Sequence, residues 1–225
     1  PGNSSYFSVC PHPGVRRRWR GLAGRIARHR PGGGLRRRHV LQRRLQRSAI
    51  DLSYDENVED ALRLYRMLAA VDGCPAPLVA WIQGYCLGGG CGLAACVDIA
   101  VAADDAVFGF SEVKLGIIPA VISPFVLAKI GSGAARRYFL TGERFGPDVA
   151  LRIGLVSEIG QDVEAVVAEL LTSGPAAVRE AKRLVRPEPG DGRALAELAA
   201  RLRTSDEGQD GLRAFLERRK PGWTD

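Results

Sequence analysis

From Asp51 onward the chain alternates between apolar positions at helical spacing and short apolar runs closed by glycine, proline or paired aspartates. Val58, Ala61, Leu62, Tyr65 and Leu68 carry a helical pattern over residues 55–71, and Gly73, Pro75 and Pro77 stop it. Residues 78–82 form a short apolar run with strand character, and residues 88–96 open glycine-rich and turn helical. Residues 99–102 and 106–110 read as short strands split by the turn-forming Asp104 and Asp105. After Ser123 helices dominate, predicted over 124–130, 134–140, 147–153, 163–171, 176–185, 194–203 and 211–219. Strands followed by many helices predict an α/β protein with a sheet-based core and a helical C-terminal region. No internal repeat stands out.

The first fifty residues break this pattern. They hold 13 Arg and no Lys, Asp or Glu, whereas the rest of the chain holds 19 basic residues against all 25 acids. The overall charge of +7 therefore hides a basic segment joined to an acidic domain. Residues 1–47 are expected to be exposed and irregular, because an unpaired guanidinium is costly to bury. Residues 48–225 are expected to fold as one domain, with a core over about 48–160 and a helical region over about 161–225. No stretch reaches the roughly 18 consecutive apolar residues of a membrane span. Cys10, Cys74, Cys86, Cys91 and Cys96 are odd in number and show no CxxC spacing. That argues against a disulfide framework and for a reducing, cytoplasmic setting. Cys86, Cys91 and Cys96 read as small buried packing residues rather than nucleophiles.

The chemistry open to the ordinary part is narrow. His12, His29 and His39 all lie in the anomalous segment, which removes a Ser-His-Asp triad and most transition-metal sites from the remainder. Acid–base work then falls to carboxylates, Tyr or Lys, assisted by oriented backbone amides. The segment Gly84-Tyr85-Cys86-Leu87-Gly88-Gly89-Gly90-Cys91-Gly92 suits such amides, since a helix that starts on glycines presents N–H groups without intrahelical partners. Close helix–strand packing explains the same glycines without a ligand. Gly90-Cys91-Gly92-Leu93-Ala94-Ala95, with Glu112 about 20 residues on, also fits a loose dinucleotide fingerprint, but the strand predicted upstream ends too early for it.

Several motifs in order resemble the crotonase, or enoyl-CoA hydratase/isomerase, superfamily. Gly84 to Gly90 followed by Ala94-Ala95-Cys96-Val97-Asp98-Ile99-Ala100 is similar to its signature, and Phe108 to Pro119 is similar to the partner segment. Tyr138 to Phe145, Gly154-Leu155-Val156 and the stretch from Glu207 to Pro221 continue the likeness, which covers residues 48–223. The resemblance implies a spiral of ββα units with a helical C-terminal trimerisation region, assembled as a homotrimer or hexamer. It implies an acyl-CoA thioester as substrate, with no metal or redox cofactor. By position it implies that Gly89 offers a backbone N–H to the thioester oxygen and that Glu112 is the general acid/base, with Gly88 and Gly92 beside the substrate.

Two positions depart from the family pattern. The other hydratase glutamate falls on Gly92, which leaves one carboxylate and also suits an enoyl-CoA isomerase. Gly92 together with Pro119-Ala120-Val121-Ile122-Ser123-Pro124 resembles a bacterial methylglutaconyl-CoA hydratase branch, which favours hydration. The segment that carries the second oxyanion donor is missing, and Val40-Leu41-Gln42-Arg43-Arg44 stands in its place, leaving the Gln42 amide as the positional candidate. Codons such as GTT CTG CAG CGG CGC for those residues, shifted by one base, read Phe-Cys-Ser-Gly. That points to a frame-shifted stretch within 11–45, with the frame regained near Gln46. The competing readings are an organelle transit peptide, an RNA-binding arm, in which clustered Arg gains affinity by counterion release, a functionless solvated tail, or a family member that has lost catalysis.

Overall fold

The computed structural model describes residues 7–10 as backbone, and residues 52–185 and 191–224. The first long helix, α1 (Tyr54–Asp72), opens on a capping box: the Glu56 amide donates to Ser53 Oγ at 3.3 Å, and the Ser53 amide donates to Glu56 Oε2 at 2.8 Å. Of its predicted apolar positions only Leu68 is buried, while Val58, Leu62 and Tyr65 are 39%, 37% and 44% exposed.

Among the described residues, seven short strands follow a winding path. β1 (Phe7–Cys10), β2 (Val79–Ile82), β4 (Ile99–Ala102) and β7 (Glu158–Ile159) form one sheet, in that order. β3 (Tyr85–Leu87), β5 (Val107–Gly109) and β6 (Arg144–Phe145) form the other. β2 and β4 pair in parallel, as do β3 and β5, so each pass of the chain lays one strand in each sheet before a helix. Gly84, at φ 68°, makes the bend from β2 into β3, and its carbonyl accepts from the Val107 amide at 2.7 Å. This is the spiral of ββα passes that the resemblance implied.

β1 corrects the expectation that residues 1–47 are irregular throughout. It runs antiparallel to β2, with Phe7 opposite Ile82 and Cys10 opposite Val79. Phe7-Ser8-Val9-Cys10 is uncharged and lies ahead of Arg16, the first arginine, so nothing in it resists joining a sheet. The remaining expectations for residues 11–47, including the role of Gln42, fall outside the described residues.

α2 (Gly89–Cys96) packs against α1 and against α3 (Ser123–Thr141). The two helices predicted over 124–130 and 134–140 are the halves of α3, joined at Gly131, whose φ of 71° and ψ of 164° no helix accommodates. α4 (Pro147–Arg152) leads to β7. Beyond it come α5 (Glu164–Leu171), α6 (Pro175–Leu184), α7 (Gly192–Thr204) and α8 (Asp206–Glu217). Glu207 of α8 accepts from the amides of Ala176 and Ala177 at 2.9 Å, satisfying the open N-terminus of α6.

Asp98, in the turn between α2 and β4, ties the helical region to the core. Its Oδ2 accepts from the Leu78 amide and from Lys182 Nζ, each at 2.7 Å. Lys182, only 9% exposed, also donates to the Ala76 carbonyl at 3.1 Å. Lys129 Nζ donates to the carbonyls of Val97 at 2.9 Å and Asp98 at 3.2 Å. Burial pushes the Lys129 ammonium below its usual range, and the charge of Asp98 opposes that.

Candidate functional site

The site forms where β3 runs into α2. Gly88 caps the helix with φ 53° and ψ −118°, a conformation that side-chain-bearing residues avoid. Its amide donates to the Gly109 carbonyl at 2.9 Å, and the Gly92 amide donates back to the Gly88 carbonyl at 3.1 Å to close the first turn. With the Gly88 amide engaged by β5, the first helical N–H pointing outward belongs to Gly89, which has no intrahelical acceptor. Gly89 is exposed, and a Cβ there would meet no atom of the described residues within 4 Å. An oxygen that gains negative charge there would meet both the N–H and the positive end of the helix dipole.

Glu112 arrives from the other side. It sits in a 3₁₀ turn (Ser111–Leu115) directly after β5, and the strand leading to it is anchored by aromatic rings. Phe108 and Phe110 are fully buried, each worth about 1.5–3 kcal/mol in burial alone. Phe110 meets Phe139 edge-on at 4.8 Å between centroids, and Tyr138 meets Phe145 at 4.4 Å. The half-buried Glu112 carboxyl faces the α-carbon of Gly88: a Cβ added there would lie 2.8 Å from Oε1 and 3.4 Å from Cδ. Its Oε2 is buried without a hydrogen-bond partner among the described residues. Burial raises the pKa of this carboxyl, with the residue's own backbone amide pulling the other way. A carboxyl poised above its usual range, with one unsatisfied oxygen, is suited to hand a proton back and forth.

Four residues along α2 the environment changes. A Cβ at Gly92 would stand 2.5 Å from Ile122 Cγ2 and 2.9 Å from Ile122 Cβ, with Leu68 Cδ1 at 3.5 Å. Ile122 is 2% exposed and Leu68 is fully buried. The helix turn that would carry a second carboxylate is thus filled by a branched apolar side chain from the start of α3. The resemblance links Gly92 to the segment 119–124, and the packing of Ile122 on Gly92 is the contact that the sequence does not reveal.

The cysteines behave as packing residues. Cys74, Cys86, Cys91 and Cys96 are free and buried. Cys91 Sγ donates to the Cys86 carbonyl at 2.9 Å, and burial pushes the Cys96 thiol up to about 12. The dinucleotide reading loses its ribose acid, because Glu112 faces the glycine turn itself. Among the described residues no group of three or more His, Cys, Asp or Glu could hold a metal ion. None of the described helices is long and apolar enough to cross a membrane.

The profile of the family described as enoyl-CoA hydratase/isomerase matches residues 44–225. The chain belongs to this family. Its match begins two residues before Gln46, where the reading frame was expected to be regained. An enoyl-CoA hydratase structure from Shewanella pealeana superposes with a TM-score of 0.72 at 38% identity, covering 81% of this chain and 71% of that one. Pseudomonas aeruginosa AtuE superposes at 0.74 with 35% identity, covering 80% and 74%. A crotonyl-CoA hydratase of Syntrophomonas wolfei is 32% identical over 170 residues, 70% of this chain and 64% of its own length. The chain therefore spans slightly less than two thirds of that hydratase.

Proposed function

We propose that the chain adds water to an α,β-unsaturated acyl-CoA thioester, with Glu112 as the carboxylate at the reacting carbons and the Gly89 amide as an oxyanion donor. The observation that carries this reading is the Glu112 carboxyl packed on Gly88, one residue from the exposed Gly89, with Oε2 unsatisfied among the described residues. The thioester carbonyl oxygen points at Gly89 while its α and β carbons lie toward Glu112. Glu112 takes a proton from water as the water oxygen bonds to the β carbon, and the π electrons move onto the thioester oxygen as an enolate. The enolate collapses as Glu112 returns the proton to the α carbon. One carboxylate serves as base and then as acid, which conserves every atom of the water.

Gly88 and Gly92 flank this path, Gly88 at its carboxylate end and Gly92 at its apolar floor. The Gln42 amide is the positional candidate for the second oxyanion donor. Exposed apolar residues on the C-terminal helices support assembly as a homotrimer or hexamer: Leu212, Phe215 and Leu216 are 48%, 82% and 78% exposed. The four free, buried thiols suit a reducing, cytoplasmic setting.

Replacing Glu112 with Gln tests the assignment. Hydration of a short enoyl-CoA should fall about 10²–10⁴-fold in kcat while acyl-CoA binding, measured by calorimetry, stays close to wild type. Unchanged turnover in the variant would remove Glu112 from the mechanism.

A further inference from the structure

We infer that Gly88 is a positioning residue for Glu112, its missing side chain providing the space that fixes the carboxyl beside the helix N-terminus. The inference rests on the catalytic reading of Glu112 given above. Three independent constraints meet at Gly88. Its amide is bonded to the Gly109 carbonyl, the last residue of β5 and three residues before Glu112. Its φ of 53° and ψ of −118° turn the chain from β3 into α2. Its α-carbon is the surface against which the Glu112 carboxyl rests, since an added methyl would lie 2.8 Å from Oε1, 3.4 Å from Cδ and 3.8 Å from Oε2.

The neighbouring glycines do not share this property. A methyl at Gly89 meets open space, and one at Gly90 makes only an ordinary 3.6 Å contact with Cys86 Sγ. Gly88 is thus the member of the triplet that touches the acid/base. The β5 hydrogen bond couples the two: β5 holds the Gly88 amide and delivers Glu112 within the same few residues, so the carboxyl and the Gly89 N–H keep a set separation. A methyl at Gly88 would push the carboxyl away from the reacting carbons, and a misplacement near 1 Å costs about 10²-fold in rate.

Alanine at Gly88 also brings backbone strain, so the test separates strain from contact. Gly88→Ala is made in the wild-type chain and in a Glu112→Asp chain, whose carboxyl is one methylene shorter and clears the new methyl. Strain at φ 53° is common to both backgrounds; the clash is present in only one. Three quantities are read: folding stability, kcat, and the titration of the carboxyl at position 112, followed by the infrared band of an isotope-labelled side chain. The expected result is a loss of about 10–100-fold in kcat with Glu112 and a much smaller loss with Asp, together with a displaced titration of Glu112. Equal losses in both backgrounds, whether of fold or of rate, would mean that strain alone is responsible and would overturn the inference. The titration needs no turnover, so a shifted Glu112 in a chain where Glu112→Gln leaves activity intact would sink the catalytic reading while sustaining the positional one.

Discussion

At one end of the first turn of α2, Gly88 lies against a carboxyl; at the other, Gly92 lies against Ile122 and Leu68. Both positions forbid a side chain, yet for opposite reasons. Gly88 makes room for a polar group whose Oε2 has no partner, next to open space at Gly89. Gly92 makes room for an apolar side chain that closes the helix onto the core. The contrast teaches how a site with one carboxylate is made from a scaffold that can hold two. A buried void beside Gly92 would cost stability. Ile122 fills that space, and in the proposed mechanism the Glu112 carboxyl carries both proton transfers.

Installing the absent carboxylate gives the largest effect on this comparison. Gly92→Glu alone should destabilise the fold by about 3 kcal/mol or more, because the new side chain overlaps Ile122 and brings a charge into a buried turn. Adding Ile122→Gly should recover a substantial part of that loss in chemical denaturation. A Gly92→Glu chain as stable as wild type would show that Ile122 does not occupy the slot.

The smaller effect concerns pH. Burial raises the Glu112 pKa, so the folded chain holds this proton more tightly than the unfolded chain, where Glu titrates near about 4.3. Its favourable contribution is therefore complete below the unfolded value and is lost as pH rises through the folded one. Glu112→Gln should match wild-type stability at acid pH and exceed it at neutral pH. Thermal unfolding across that range checks the sign; a Gln variant that is less stable at neutral pH would mean the carboxylate is held by favourable partners instead.

Much of the fold could be read from the sequence because local chemistry states it. The spacing of Val58, Ala61, Leu62, Tyr65 and Leu68 announces α1, although its Ser53–Glu56 capping box was overlooked, and the glycine run announces the turn before α2. The two-residue strands β6 and β7 escaped, since Arg144–Phe145 and Glu158–Ile159 are too short to carry any periodicity. β3 escaped because Tyr85–Leu87 looked like a spacer between strand and glycines, and its strand character comes from pairing with β5. The start of α8 was expected near Gly211, although Ser205 caps it by accepting from the Gly208 amide at 3.1 Å; that signal was present and overlooked. At the site, Glu112 and Gly89 stood out through their motifs. Ile122 is linked to Gly92 only through the resemblance of its segment, since their contact joins residues 30 apart and exists only once α2 and α3 pack. The frame argument for residues 11–45 and the Gln42 amide concern positions outside the described residues, and sequencing the source gene across them addresses both.

The central claim is that water is added at the carbons between the Gly89 amide and Glu112. Its most direct test incubates the chain with a short α,β-unsaturated acyl-CoA in heavy-oxygen water and follows the product by mass spectrometry. Hydration predicts a hydroxyacyl-CoA carrying one heavy oxygen, formed at a rate that collapses in Glu112→Gln. Conversion of a β,γ-unsaturated acyl-CoA to its conjugated isomer, with no heavy oxygen entering any product, would contradict it and make the single carboxylate an isomerase base.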